Sequence, residues 1–208
     1  MYYGEKLNSI THLIGATLSL IGLGGLLAVS IAYRDPWMIA SFAVFGATLA
    51  LLYTMSTLYH SFYPLRLKRV FQKLDHVSIY LLIAGTYTPY TLVTLRDHGG
   101  PMLLAAVWTL AAVGILLDVF KAHRNQVLQV TIYLLMGWVC VLKYPELKSA
   151  MLPPGLFWLT AGGLAYTLGI AFYALDGSGR MRHAHGIWHL FVLAGSLCHY
   201  VSIIGYVR

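Results

Sequence analysis

The 208-residue sequence predicts an all-α membrane protein, a bundle of seven transmembrane helices with a cytoplasmic N-terminus and an outside C-terminus. Three observations predict it. Composition is the first: 59% of residues are hydrophobic, 10% are charged, and mean hydropathy is +0.71. A soluble domain carries roughly a quarter charged residues. The second is where the charges fall. They leave seven windows without Asp, Glu, Lys or Arg: Leu7–Tyr33, Pro36–Leu65, His76–Leu95, His98–Leu117, Asn125–Leu142, Ser149–Leu175 and His183–Val207. A spanning helix needs about 20 mostly apolar residues, and the fifth window reaches the lower bound only narrowly. Backbone groups in lipid must be satisfied within their own segment, so the windows are helices. The third is the Lys/Arg balance, which orients the bundle. With the N-terminus inside, inner segments hold Lys6, Arg66, Lys68, Arg69, Lys73, Lys121, Arg124, Arg180 and Arg182. Outer segments hold Arg34, Arg96, Lys143, Lys148 and Arg208, nine against five. Residues 1–208 then form one membrane domain with no room for a soluble one.

The opening Met-Tyr-Tyr-Gly-Glu-Lys lacks the pattern of a cleavable signal, so the first window reads as a retained helix. It starts Glu5-x-x-Asn8-x-x-x-His12, with Asn8 or Ser9 as expected cap. The second helix runs from near Trp37 to near Tyr63 and places Ser56 and His60 on one face, one turn apart. A short basic loop, Pro64 to Lys73, returns the chain to the membrane at Asp75, where a carboxylate at a helix start would gain from the helix dipole. The third helix contains Pro89, which frees a carbonyl and kinks it. The fourth carries Asp118 near its inner end. The fifth, about Val127 to Leu142, is the weakest span. The sixth ends in a turn at Asp176-Gly-Ser-Gly. Cys140 and Cys198, one in each of two windows, read as packing residues rather than a disulfide framework.

The seventh helix holds the arrangement around which the chemistry gathers, His185-x-x-x-His189. Two histidines four apart share a helix face and can converge on one ion. The orientation from Lys and Arg alone puts His60, Asp75, His185 and His189 at one depth near the cytoplasmic face. Polar side chains at membrane depth face the bundle interior and mark function. Three imidazoles, His60, His185 and His189, make a donor set suited to a zinc ion. Three protein ligands also leave the fourth position open, as catalytic zinc requires. Asp75 would act as general base and Ser56 would hold the other side of the site. Glu5, Asn8 and His12 would form a supporting layer at the cytoplasmic mouth. His199, more than two turns beyond His189, lies too far away to join them and is expected to serve core hydrogen bonding.

Ser56-x-x-x-His60, Asp75 and His185-x-x-x-His189, preceded by Glu5-x-x-Asn8-x-x-x-His12, resemble the progestin and adipoQ receptor family. Size and the run His-Gly-Ile-Trp-His-Leu-Phe-Val-Leu are similar to its bacterial hemolysin III-like branch. The resemblance covers essentially the whole chain. It implies a zinc held by His60, His185 and His189, with Asp75 as the residue contacting the ion's water and Ser56 its neighbour. It also implies kinship with alkaline ceramidases, which cleave an amide bond in a membrane lipid. The expected function is therefore a zinc-dependent hydrolase of a lipid amide or ester in the bacterial inner membrane, involved in lipid homeostasis. The alternative is a sensor or receptor of membrane state with a structural zinc; a cytolytic role is less favoured, with no amphipathic pore-forming segment. A membrane lipid is the expected partner. Nucleic acid is not, because the basic residues are spread over loops rather than gathered on one face.

Overall fold

The computed structural model describes residues 4–120 and 125–208. Residues 1–3 of the opening segment, and the inner-side basic pair Lys121 and Arg124, lie outside the described residues. Among the described residues every regular element is helical. In chain order they are α1 (Lys6–Tyr33), α2 (Pro36–Ser61), α3 (Leu65–Pro89), α4 (Gly100–Phe120), α5 (Gln126–Trp138), α6 (Tyr144–Ala150), α7 (Pro153–Gly177) and α8 (Ala184–Tyr206). A π-helical stretch, Tyr90–Thr94, prolongs α3, and a 3₁₀ stretch, Val139–Lys143, joins α5 to α6.

Six helical segments are long and apolar enough to cross a membrane: α1, α2, α4, α7, α8 and the composite Gln126–Ala150. The chain is thus a multi-pass integral membrane protein. Its outward surface carries large apolar side chains such as Leu20, Ile21, Leu164 and Leu197, which suits a lipid solvent. The fifth window gains the length it lacked by running through the 3₁₀ stretch into α6.

Two expectations are corrected in α3. The basic stretch after Pro64 is helix from Leu65 onward rather than a loop. Leu, Arg, Lys and Gln are strong helix formers, and together they extend the helix ahead of its apolar part. Asp75 therefore lies about three turns inside α3, not at its start, and the dipole of the first turn does not account for it. The α1 cap also differs. Glu5 occupies the N-cap and makes no side-chain capping bond, because its carboxylate is engaged elsewhere. At the other end of α3, Pro89 marks the change from α to π geometry, and Leu95 N–H donates to Tyr90 O at 2.8 Å.

The helices pack α1 on α2, α2 on α3, α7 on α8 and α8 on α1. Small residues set the spacing at one end. A Cβ on Gly15 would lie 2.6 Å from Tyr53 Cδ1 and 2.9 Å from Leu193 Cδ2, so α1, α2 and α8 meet there only because that side chain is missing. Gly186 sits between the starts of α8 and α1, where a Cβ would run into the Leu7 side chain. These close approaches bring the first turns of α1 and α8 beside the last turn of α2, where the histidines lie.

Candidate metal centre

His60 comes from the last turn of α2, His185 and His189 from the first two turns of α8. One ring nitrogen of each lies within 4.8 Å of the others, close enough to hold one metal ion. Ring centroids are 5.0 Å apart for His60 and His185, 4.9 Å for His60 and His189, and 4.8 Å for His185 and His189. His60 and His189 are each 2% exposed.

The other nitrogen of each ring decides the chemistry. His60 Nδ1 lies 2.7 Å from Glu5 Oε2, His185 Nδ1 lies 3.0 Å from Asp176 Oδ2, and His189 Nδ1 lies 3.2 Å from the Asn8 carbonyl oxygen. Two carboxylates and a carbonyl can only accept, so in each ring Nδ1–H donates and Nε2 keeps its lone pair. Among the described residues His60 Nε2 is buried with no hydrogen-bond partner. Burying such an acceptor unpaired costs about 1–3 kcal/mol. A cation answers that cost, since metal-binding imidazoles commonly donate their second N–H to a carboxylate or carbonyl. The residues present therefore fit a metal ion.

Glu5 is the hub of the supporting contacts. Its Oε2 also accepts from Asn8 Nδ2 at 2.8 Å, and Lys68 Nζ donates to Oε1 at 3.4 Å. Burial alone would raise its pKa, but the hydrogen bonds from His60 and Asn8 and the Lys68 charge outweigh it and hold the carboxyl well below the usual carboxylate range. With its folded pKa depressed, Glu5 contributes stability that is present above its unfolded pKa of about 4.3 and lost as pH falls toward the folded value.

His12 takes a separate place. Its ring stacks on His189 with centroids 3.6 Å apart, and its Nδ1 lies 2.6 Å from Ser56 Oγ. Ser56 thus pairs with His12. Thr11 Oγ1 lies 3.3 Å from His189 Nδ1, beside the Asn8 carbonyl. Asp75, Ser56, His12, His185 and His189 line one cavity of about 520 Å³. The structure accordingly gathers the sequence-selected residues at one end of the bundle: Glu5, Asn8, His12, His60, His185 and His189 through direct contacts, Ser56 through His12, and Asp75 on the shared cavity wall.

Asp176 was missed, because Asp-Gly-Ser-Gly reads as a turn. The available signal was scarcity: the chain has seven acidic residues, and one of them falls at a helix end just ahead of His185. Glu5→Gln and Asp176→Asn should each weaken metal binding by about 10–100-fold, measured by competition with a chelator of known affinity. Glu5→Gln should have the larger effect. Its contact is shorter and its side chain is 23% exposed, against 42% for Asp176.

A multi-pass membrane bundle with a three-histidine centre at one end is the class of protein that fold and site define. The family model described as Haemolysin-III related matches residues 2–200. Over 98% of this chain and 91% of the relative, identity to Hemolysin-3 of Bacillus cereus is 39%. It is 38% to the Hemolysin-3 homolog of Bacillus subtilis, over 97% of this chain and 93% of that protein. Human monocyte to macrophage differentiation factor is 30% identical over 99% of this chain and 85% of its own length. The chain belongs to the haemolysin III family, within the wider progestin and adipoQ receptor family.

Proposed function

We propose that this protein is a zinc-dependent hydrolase of a membrane lipid, cleaving an acyl amide or ester. The observation that carries the reading is the convergence of three Nε2-presenting imidazoles, two of which, His185 and His189, stand in the wall of an apolar cavity that Asp75 and Ser56 also line. The N3 donor set with carboxylate and carbonyl support favours zinc over hard-oxygen cations. When bound by His60, His185 and His189, zinc would supply the positive charge that polarises a carbonyl and acidifies water.

The chain's own groups supply the rest. Asp75 accepts the proton from the attacking water and delivers it to the leaving amine or alcohol. Ser56, fixed by His12, offers a hydroxyl on the same wall. The cavity takes the acyl chain. Its lining follows α7 from Asp176 to Leu156, about 30 Å at 1.5 Å per residue, and the stripe Asp75, Ile79, Ile83, Thr86 and Tyr90 on α3 runs beside it. A volume of about 520 Å³ is in the range of small-ligand sites.

The placement we propose is the bacterial inner membrane, with seven spans, the N-terminus and the histidine centre inside, and a membrane lipid as partner. The seventh span is α3. Its first turns carry Arg66, Lys68, Arg69 and Lys73, and its apolar part follows them. With the π-helical stretch it runs from Leu65 to Thr94, long enough for a basic inner end followed by a membrane crossing.

The test is release of fatty acid from an N-acyl lipid by the purified protein in vesicles. Release should stop on chelation and return with added zinc. A protein that holds one zinc per chain and releases nothing from acyl amides or esters would instead be the membrane-state sensor with a structural metal.

A further inference from the structure

We propose that the cavity contains a second polar station, built on His199, that binds a hydroxyl group carried partway along the acyl chain. The proposal rests on the lipid reading of the same cavity and names a feature of the ligand that the metal centre cannot recognise.

His199 lies on α8, ten residues past His189, or about 15 Å deeper along the helix. It is 6% exposed and lines the cavity. Its Nδ1 is buried with no hydrogen-bond partner among the described residues. The ring is held in place on two sides. A Cβ on Gly162 would lie 2.8 to 2.9 Å from its atoms, so α7 leaves room for it only by being glycine there. Tyr166 stacks on it at 5.5 Å. A ring that needed only to fill space would be apolar at this depth, where an unpaired polar group is expensive.

The neighbouring hydrogen bonds point the same way. Tyr53 hydroxyl donates to Ser196 Oγ at 2.7 Å, and Ser196 Oγ lies 2.8 Å from the Tyr166 hydroxyl. The Ser196–Tyr166 bond can run either way; where Ser196 donates, the Tyr166 proton is left for the cavity that Tyr166 lines. On α3's π-helical extension, the hydroxyl of Tyr90 is also buried in the wall of the same cavity, beside Ser202. One station thus offers an imidazole nitrogen that donates or accepts according to tautomer, together with phenol hydroxyls. A ligand hydroxyl both donates and accepts, so it satisfies either tautomer. The spacing places that hydroxyl about 15 Å from the head group at the metal centre.

Binding of stearic acid, 2-hydroxystearic acid and 12-hydroxystearic acid to the zinc-loaded full-length protein tests this. The wild type should bind the 12-hydroxy acid about tenfold tighter than stearic acid, roughly the worth of one net hydrogen bond. The 2-hydroxy acid should show no such gain. His199→Phe keeps the ring's packing and should erase the preference, with stearic acid affinity held within about twofold and zinc content unchanged. Tyr166→Phe removes one hydroxyl and little else, should reduce the preference, and decides the matter where His199→Phe does not fold. Equal affinity of the wild type for the three acids overturns the station and leaves the lipid hydrolase reading standing. A preference that survives both substitutions overturns its assignment to these residues. Failure of all three acids to bind removes the lipid cavity itself, and the station with it.

Discussion

Asp75→Asn is expected to lower fatty-acid release by about 10²–10⁴-fold, the usual worth of a positioned general base, while the protein keeps its zinc. The two halves of that result are separable because Asp75 is outside the set of nitrogens that converge. Those belong to His60, His185 and His189, and the oxygens that hold them come from Glu5, Asp176 and Asn8. Asp75 faces the cavity from α3, about three turns inside the helix, and its place there is not explained by capping. Asparagine keeps the shape and the ability to hydrogen-bond but cannot take a proton. Release should therefore fall at every pH, with little change in the lipid concentration giving half-maximal rate. Metal analysis alongside the rate measurement completes the test. A variant that loses zinc together with activity would place Asp75 among the groups supporting the ion. One that keeps both would show the proton moving by another route.

The bundle was legible because lipid leaves its signature in composition. Charges are excluded from long windows, and helices are the only open-ended elements that satisfy their backbone there. The boundaries were less legible, for the same reason. Charge-free windows mark where lipid begins, not where helices do, so the strong helix formers from Leu65 to Lys73 look like a loop although they extend α3. The histidines were legible through periodicity. Four-residue spacing puts His185 and His189 on one face, and the count of crossings puts His60 at the same end.

What spacing could not convey is which nitrogen each ring presents. That is decided by contacts far apart in sequence: Glu5 with His60, and the Asn8 carbonyl with His189. A backbone oxygen carries no sequence signal at all. Asp176 was hidden by a turn motif that is real but incomplete, since the same residue ends α7 and orients His185. Ser56, expected to hold the other side of the site, pairs with His12. His199, expected to be satisfied within the core, has a nitrogen unpaired among the described residues, and only packing shows the ring held there by Gly162 and Tyr166.

His60→Ala should reduce the zinc of the purified protein from about one ion per chain to near none, and should lower its melting temperature. A ligand that binds only the folded state stabilises by RT ln(1 + [L]/Kd), about 4 kcal/mol at a thousandfold excess over Kd. Losing one of three protein ligands forfeits most of that. His60 is the most informative of the three because it alone ties α2 to α8 through the centre. The variant should also leave Glu5 with Asn8 and Lys68 among its partners, so the carboxylate is not stranded and the loss can be assigned to the ion. His12→Phe is the matched control. Its ring lies against His189 and is equally buried, yet its nitrogens are not among those that converge. Stacking a flat ring there preserves the packing, so zinc should stay. Chelation of the wild type should reproduce the melting shift of His60→Ala and add nothing to that variant. Full zinc retention by His60→Ala, or equal loss in both variants, would mean that the ion is not held where the three lone pairs meet.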